Sequence, residues 1–138
     1  MNLVSKIFEE AIRQKEIGYN KNNKWKLNFH LMPPIGWIND PNGLCYFKGE
    51  YHIFFQYSPF EVEGGLKFWG HYITKDLINY KYVGVSIYPN EKYDCHGVYS
   101  GSAFIEDDKI YIYYTGNVKL LGEHDYIESG REANTMLI

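Results

Sequence analysis

The segment "GLCYFKGEYHIFFQY", Gly43 to Tyr57, sets the architecture. Two short runs rich in aromatic and β-branched residues, Leu44–Phe47 and Tyr51–Tyr57, flank the charged turn Lys48-Gly49-Glu50, the pattern of a β-hairpin. A second segment, "GSAFIEDDKIYIYYT", Gly101 to Thr115, repeats the plan of glycine, strand, charged turn and aromatic-rich strand. Its strands are Ser102–Ile105 and Ile110–Thr115, joined around Asp107-Asp108. Between the two hairpins, Lys67–Thr74 and Tyr80–Ser86 read as further strands connected through "KDLIN". A multi-stranded unit that recurs along a chain is how propeller blades are written in sequence, although a sandwich would also accommodate the echo. The expected class is all-β. The first unit has four strands and the second shows two before "REANTMLI", so the chain reads as the front end of a larger repeat array.

Composition supports strands. Aromatic residues make up 18% of the 138 residues, with Tyr the most numerous, and such side chains pack well on a pleated surface. The length suffices for one domain with a sizeable core. The formal charge is −3 and the basic residues are scattered, so no electrostatic footprint for nucleic acid is present. The opening "MNLVSKIFEEAIRQKEIGYN" lacks the apolar core and small-residue cleavage site of a secretory signal. No later run is apolar enough to span a membrane. Cys45 and Cys95 have neither metal-ligand spacing nor the numbers for a disulfide framework, and a cytoplasmic setting is expected.

At the N-terminus, Val4, Ile7, Phe8, Ala11 and Ile12 fall on one helical face. A short amphipathic helix is expected over residues 1–18, ended by Gly18, followed by a polar linker over 19–26 and the strand-rich part over 27–138.

Just before the first hairpin stands "GWINDPNG", Gly36 to Gly43. Pro41 drives Asp40 towards an extended conformation, and Asp, Pro and Gly at these positions suit a type I turn. A turn is therefore expected at Asp40–Gly43. The same rigidity suits a positioned nucleophile, because a carboxylate held beside the Asn39 amide loses little entropy on reaching its reactive geometry. Gln56, Trp37, Trp69, Tyr99 and Ser100 each have a plain structural reading as well. Gln56 suits a strand end, a Trp in a strand suits a core, and Tyr99-Ser100 lies in a Gly-flanked strand that permits close sheet packing. The five histidines, His30, His52, His71, His96 and His124, lack metal-ligand spacing and read as structural or solvent-facing.

Five motifs in order tip these readings. "HLMPPIGWINDPNG", "YHIFFQYSP", "FWGHYITKDL", "HGVYSGSA" and "YYTGN" resemble the successive signatures of glycoside hydrolase family 32, the β-fructofuranosidases, invertases and sucrose-6-phosphate hydrolases. The likeness runs from about Trp25 to the end. The helical extension and "FHLMPP" are similar to the bacterial intracellular branch. The resemblance implies a five-bladed β-propeller, of which this chain carries the first blade and part of the second, behind a short helix. It implies retaining hydrolysis of β-fructofuranosidic bonds in sucrose or sucrose 6-phosphate, with no metal and no cofactor. Asp40 would be the nucleophile on the anomeric carbon, and Trp37, Asn39, Gln56, Trp69, Tyr99 and Ser100 would bind substrate. Retention requires two carboxyl groups about 5–5.5 Å apart.

Two departures and one gap qualify the match. Gly64-Gly65 stands where many members have Trp-Gly, and Tyr80 where a Trp often follows "DL". The family's Arg-Asp-Pro motif and its Glu-Cys acid/base motif belong to later sequence, and Glu123, Glu128 and Glu132 match neither. The expectation is a fructoside hydrolase as a whole protein, with this polypeptide inactive alone. The alternative is a truncated, non-catalytic carbohydrate-binding or interaction module. A unit and a half of propeller exposes apolar faces and strand edges, so self-association is also expected.

Overall fold

A computed structural model describes residues 3–20, 26–27 and 30–138. One helix, α1 (Leu3–Asn20), precedes seven strands: β1 (Trp37–Phe47), β2 (Glu50–Ser58), β3 (Phe68–Thr74), β4 (Lys81–Ile87), β5 (Val98–Glu106), β6 (Lys109–Lys119) and β7 (Arg131–Leu137). They form two antiparallel sheets, ordered β1-β2-β3-β4 and β5-β6-β7. β1 and β5 are the edges that face each other.

The sequence echo corresponds to a structural one. Phe47 pairs with Glu50 and Glu106 with Lys109, so each hairpin turns on two residues. Both turn residues take positive φ in each case: Lys48 and Gly49 in the first, Asp107 and Asp108 in the second. Such turns match the twist of the strands they join. The tips also meet, with Lys48 Nζ 2.8 Å from Asp108 Oδ2.

Strand β2 shows why the first sheet is a middle layer. Its residues 54–58 are all buried, a run expected of a strand covered on both faces. Phe54 joins Trp69, Ile87, Val98, Ile112 and Tyr114 in the core between the sheets. Phe55 and Tyr57 point the other way and pack with Ile35. Ile12 of α1 joins Phe68 and Tyr88 under the helix.

Four expectations are corrected. The buried stripe of α1 is Ser5, Phe8, Ile12 and Glu16, while Val4, Ile7 and Ala11 face outward. A buried hydroxyl decides this rotation: Ser5 Oγ accepts the Asn90 side-chain N–H at 2.6 Å, anchoring the first turn on the segment after β4. Gly18 does not stop the helix, which runs on to Asn20; residues 21–25 of the expected linker lie outside the described residues. The second sheet has a third strand, β7. Its "REANTML" is poor in aromatic and β-branched residues, and pairing along β6 supplies what local preference does not. Finally, Asp40–Gly43 is not a turn. All four residues lie within β1, the edge strand, where a proline is tolerated.

Candidate active site

Strand β1 absorbs the Asp-Pro-Asn-Gly sequence by bulging twice. Ile38 pairs with Tyr57 and Pro41 with Phe55, so Asn39 and Asp40 together stand opposite Gln56. Two residues against one is the count of a β-bulge, which bends the strand and re-aims its side chains. A second shift separates Asn42 from Cys45 and contains Gly43, whose φ of +52° favours glycine.

β5 bulges at the corresponding place. Tyr99 pairs with Thr115 and Gly101 with Tyr114, leaving Ser100 as the extra residue. The two bulges face each other across the boundary between the sheets, and Ser100 Oγ donates to Asp40 Oδ2 at 2.8 Å. Asp40, Asn39 and Ser100 are exposed, whereas Gln56 and Asn42 are buried. The Asn39 side-chain amide donates to Gln56 Oε1 at 3.2 Å, so a buried amide orients an exposed one.

Asn42 is the residue that sequence reasoning missed, having been read as part of a turn. Its Oδ1 accepts the Gly101 N–H at 3.2 Å and its Nδ2 donates to the Asp40 carbonyl at 3.1 Å. One buried side chain therefore ties the bulge carrying Asp40 to the strand carrying Ser100. The signal available in sequence was a polar residue next to a glycine in both echoed segments.

The aromatic candidates divide. Trp69 is fully buried between the sheets, and its indole N–H donates to the Tyr99 carbonyl at 3.0 Å. It braces β5 from behind and offers no ring face at the surface, which corrects the expectation of a ligand-facing Trp69. Trp37 and Tyr99 are half-buried and share a neighbour that the sequence did not single out. Lys67 Nζ lies 5.1 Å from the Trp37 ring centroid and 5.7 Å from that of Tyr99.

Behind β6, Asp94 is fully buried and accepts from the Tyr114 hydroxyl at 2.9 Å and from the Glu91 N–H at 2.8 Å. Burial pushes its pKa up, and its contacts give it a structural role.

Chemically, the site offers an exposed carboxylate on a bent, pinned strand. One oxygen is held by a hydroxyl, and an amide donor is fixed alongside. That arrangement can present a nucleophile to an electrophilic carbon and hydrogen-bond a polyol around it.

The family described as "Glycosyl hydrolases family 32 N-terminal domain" matches residues 30–134. The sucrose-6-phosphate hydrolase of Bacillus subtilis (strain 168) is 46% identical over 112 residues, 81% of this chain and 23% of its own length. The raffinose invertase of Escherichia coli is 42% identical over 106 residues, 77% of this chain and 22% of its own. Among solved structures, sucrose-6-phosphate hydrolase from Lactobacillus gasseri superposes with a TM-score of 0.76 at 33% identity, covering 91% of this chain and 25% of its own. The GH32 beta-fructofuranosidase of Bombyx mori superposes with a TM-score of 0.80 at 26% identity, covering 96% and 27%. A mutant of that silkworm enzyme has been solved in complex with sucrose. The chain thus spans about a quarter of the length of the relatives it matches. Its two sheets are units of a β-propeller, and with the matched residues enclosing both facing bulges, the chain belongs to glycosyl hydrolase family 32.

Proposed function

We propose that this chain supplies the nucleophile side of a retaining β-fructofuranosidase acting on sucrose or sucrose 6-phosphate. The observation that carries the reading is the contact between the two bulges, which leaves Asp40 exposed, oriented and hydrogen-bonded by Ser100. In the proposed reaction a carboxylate oxygen of Asp40 attacks the anomeric carbon of the fructosyl unit. The bond from that carbon to the leaving sugar's oxygen breaks, and that oxygen takes a proton from an acid. Water, deprotonated by the same group, then cleaves the fructosyl ester and restores Asp40. Asn39 and Gln56 hold fructosyl hydroxyls, and Trp37 and Tyr99 offer apolar ring faces to the sugar's C–H surface.

Retention requires a second carboxyl group. Among the described residues, no carboxyl group other than Asp40 joins the hydrogen-bond network of Ser100, Asn39, Gln56 and Asn42. The chain by itself is accordingly expected to bind fructosides without turning them over. General-acid help worth roughly 10²–10⁴-fold would be missing. The reading includes a cytoplasmic location, supported by two free thiols, Cys45 and Cys95. No described helix is long and apolar enough to cross a membrane.

Calorimetry of the purified chain with sucrose, sucrose 6-phosphate and raffinose, followed by a reducing-sugar assay, tests this. Saturable heat that weakens in Asp40→Ala is expected, without sugar release. Substantial release abolished by Asp40→Ala would overturn the inactivity of the isolated chain. No saturable heat with any fructoside would count against the site itself.

A further inference from the structure

Asp40 and Ser100 lie near the start of their strands, at the end of the sheets where β1, β3, β5 and β7 begin and β2 and β6 finish. Three cations gather at that same end. Lys67 immediately precedes β3, and its main-chain carbonyl accepts the Val98 N–H at 2.8 Å, which seats it against the start of β5. Lys119 ends β6, and its N–H donates to His96 Nδ1 at 3.0 Å, two residues before β5. Arg131 opens β7 and stands directly opposite Lys119 in the β6–β7 ladder.

This arrangement is unfavourable as it stands. Like charges paired across two strands repel. Among the described residues, no carboxylate lies within 4 Å of any of the three, although other basic residues of the chain have such partners. Lys67 is partly withdrawn from water. Burial is the largest cause lowering its pKa, the field of Lys119 adds to it, and Glu61 opposes with an effect larger than the further lowering by Arg131. Its ammonium donates to the Gly65 carbonyl at 3.0 Å and lies over the Trp37 and Tyr99 rings. An ammonium has three donors, so two are left for a ligand. The Arg131 guanidinium donates to the Ile127 carbonyl at 3.2 Å and the Lys119 ammonium lies 5.1 Å from the Tyr126 ring centroid, so neutral groups, not carboxylates, face these cations. In a protein of net negative charge, three cations without a carboxylate partner at the end of the sheets that carries Asp40 leave room for an anion that arrives with the substrate.

We propose that Lys67, flanked by Lys119 and Arg131, is a specificity-determining residue that receives a phosphate monoester on the part of the fructoside that leaves. This rests on the fructosidase reading and sharpens it, from sucrose or its 6-phosphate to a preference for the phosphorylated one set by a named residue. The rings of Trp37 and Tyr99 hold the lysine stem at the mouth of the site and keep its head poorly hydrated, which strengthens its attraction for a doubly charged phosphate. Lys119 and Arg131 steer the anion and add a contribution that falls with salt.

The test measures binding to the chain as it stands, by calorimetry and by the fluorescence of Trp37 beneath the ammonium. The ligands are sucrose, sucrose 6-phosphate, glucose 6-phosphate and inorganic phosphate. Sucrose 6-phosphate is expected to bind at least about tenfold more tightly than sucrose, equivalent to one charge-assisted hydrogen bond. That ratio should collapse towards one in Lys67→Met and persist in Lys67→Arg. Lys109→Met, at the far hairpin tip, is the control and should keep the ratio. Near-ultraviolet circular dichroism checks that each variant is folded, and a Lys67→Met that fails to fold leaves the salt dependence of the wild-type ratio to decide. A ratio near one in the wild type with sucrose still bound, or a ratio that survives both Lys67→Met and high salt, overturns the assignment of Lys67 and leaves the fructosidase reading standing. Inorganic phosphate binding as tightly as sucrose 6-phosphate also overturns it, because the site would then hold an anion and not a substrate. If neither sucrose nor its phosphate binds, the fructosidase reading fails and this inference falls with it.

Discussion

Ser100 is the extra residue of one β-bulge and Asp40 is one of the two residues that another bulge sets opposite Gln56, and the two bulges meet across separate sheets through a 2.8 Å hydrogen bond from Ser100 Oγ to Asp40 Oδ2. A bulge loosens the ladder locally, and here one residue of each bulge spends that freedom on the other. The carboxylate is thereby aimed without being buried.

Removing the hydroxyl should therefore cost chemistry more than fold. In a form of the protein that turns over a fructoside, Ser100→Ala is expected to lower kcat by about 10–100-fold, the range for one hydrogen bond to a charged group. The exposed Ser102 on the same strand provides the control, and Ser102→Ala should leave kcat unchanged. Steady-state kinetics on both variants decides the matter.

The two echoed glycines should both resist substitution, for different reasons. Gly43 has a φ of +52°, and an added Cβ would lie 3.0 Å from the Phe54 ring. Gly43→Ala is expected to cost about 1–3 kcal/mol in strain. At Gly101 an added Cβ would meet backbone, 2.6 Å from Tyr114 Cα, and β6 would have to move. Gly101→Ala should be the more damaging of the two. Gly18, inside α1 with open space around it, should behave oppositely, and Gly18→Ala should stabilise by about 0.5–1 kcal/mol. Urea denaturation midpoints test all three.

His71 makes stability depend on pH. Burial lowers its pKa to about 4, with the neighbouring His52 ring adding to the effect. The rings share a 3.0 Å contact between His52 Nδ1 and His71 Nε2. Between about pH 4 and the unfolded value of about 6.5, the unfolded chain binds more protons than the folded one. Stability should therefore be full above that window and fall as pH drops through it. His71→Phe, which keeps the stack on Phe54, should flatten this slope. Thermal melts from pH 7 to pH 4 provide the measurement.

Self-association is expected through the second sheet. β7 is an edge strand, and Leu137 and Ile138 at its end are 52% and 55% exposed. On the outer strand face, Phe104 stacks with Tyr111 and Tyr113 while remaining accessible to solvent. Unpaired edges beside apolar surface favour pairing with another chain. Light scattering should show a dimer or larger species, and a clean monomer at high concentration would exclude it.

Much of the fold was legible from local pattern. Alternation around Lys48-Gly49 and Asp107-Asp108 located both hairpins, and the structure gives each the same two-residue turn. Strand β7 was not legible, because its state depends on pairing with β6 and its own residues say little. The helix stripe was mistaken for a similar reason: apolar spacing favoured Val4 and Ile7, but the bond between Ser5 and Asn90 joins residues far apart in sequence.

At the site, the amino-acid sequence by itself determined which groups are present: a proline-stiffened Asp40, the amides Asn39 and Gln56, and the small residues around Ser100. It also contained the ordered motifs by which family membership is recognised. Only the tertiary structure decided how those groups are used. Register along β2 turned an apparent turn into a bulged strand, packing between the sheets took Trp69 into the core, and the approach of β5 brought Ser100 to Asp40 and Tyr99 to Lys67. The reason is physical. Turn chemistry and strand preference act between neighbours in the chain, whereas a bulge, a buried amide or a cation over two rings exists only once distant strands have met.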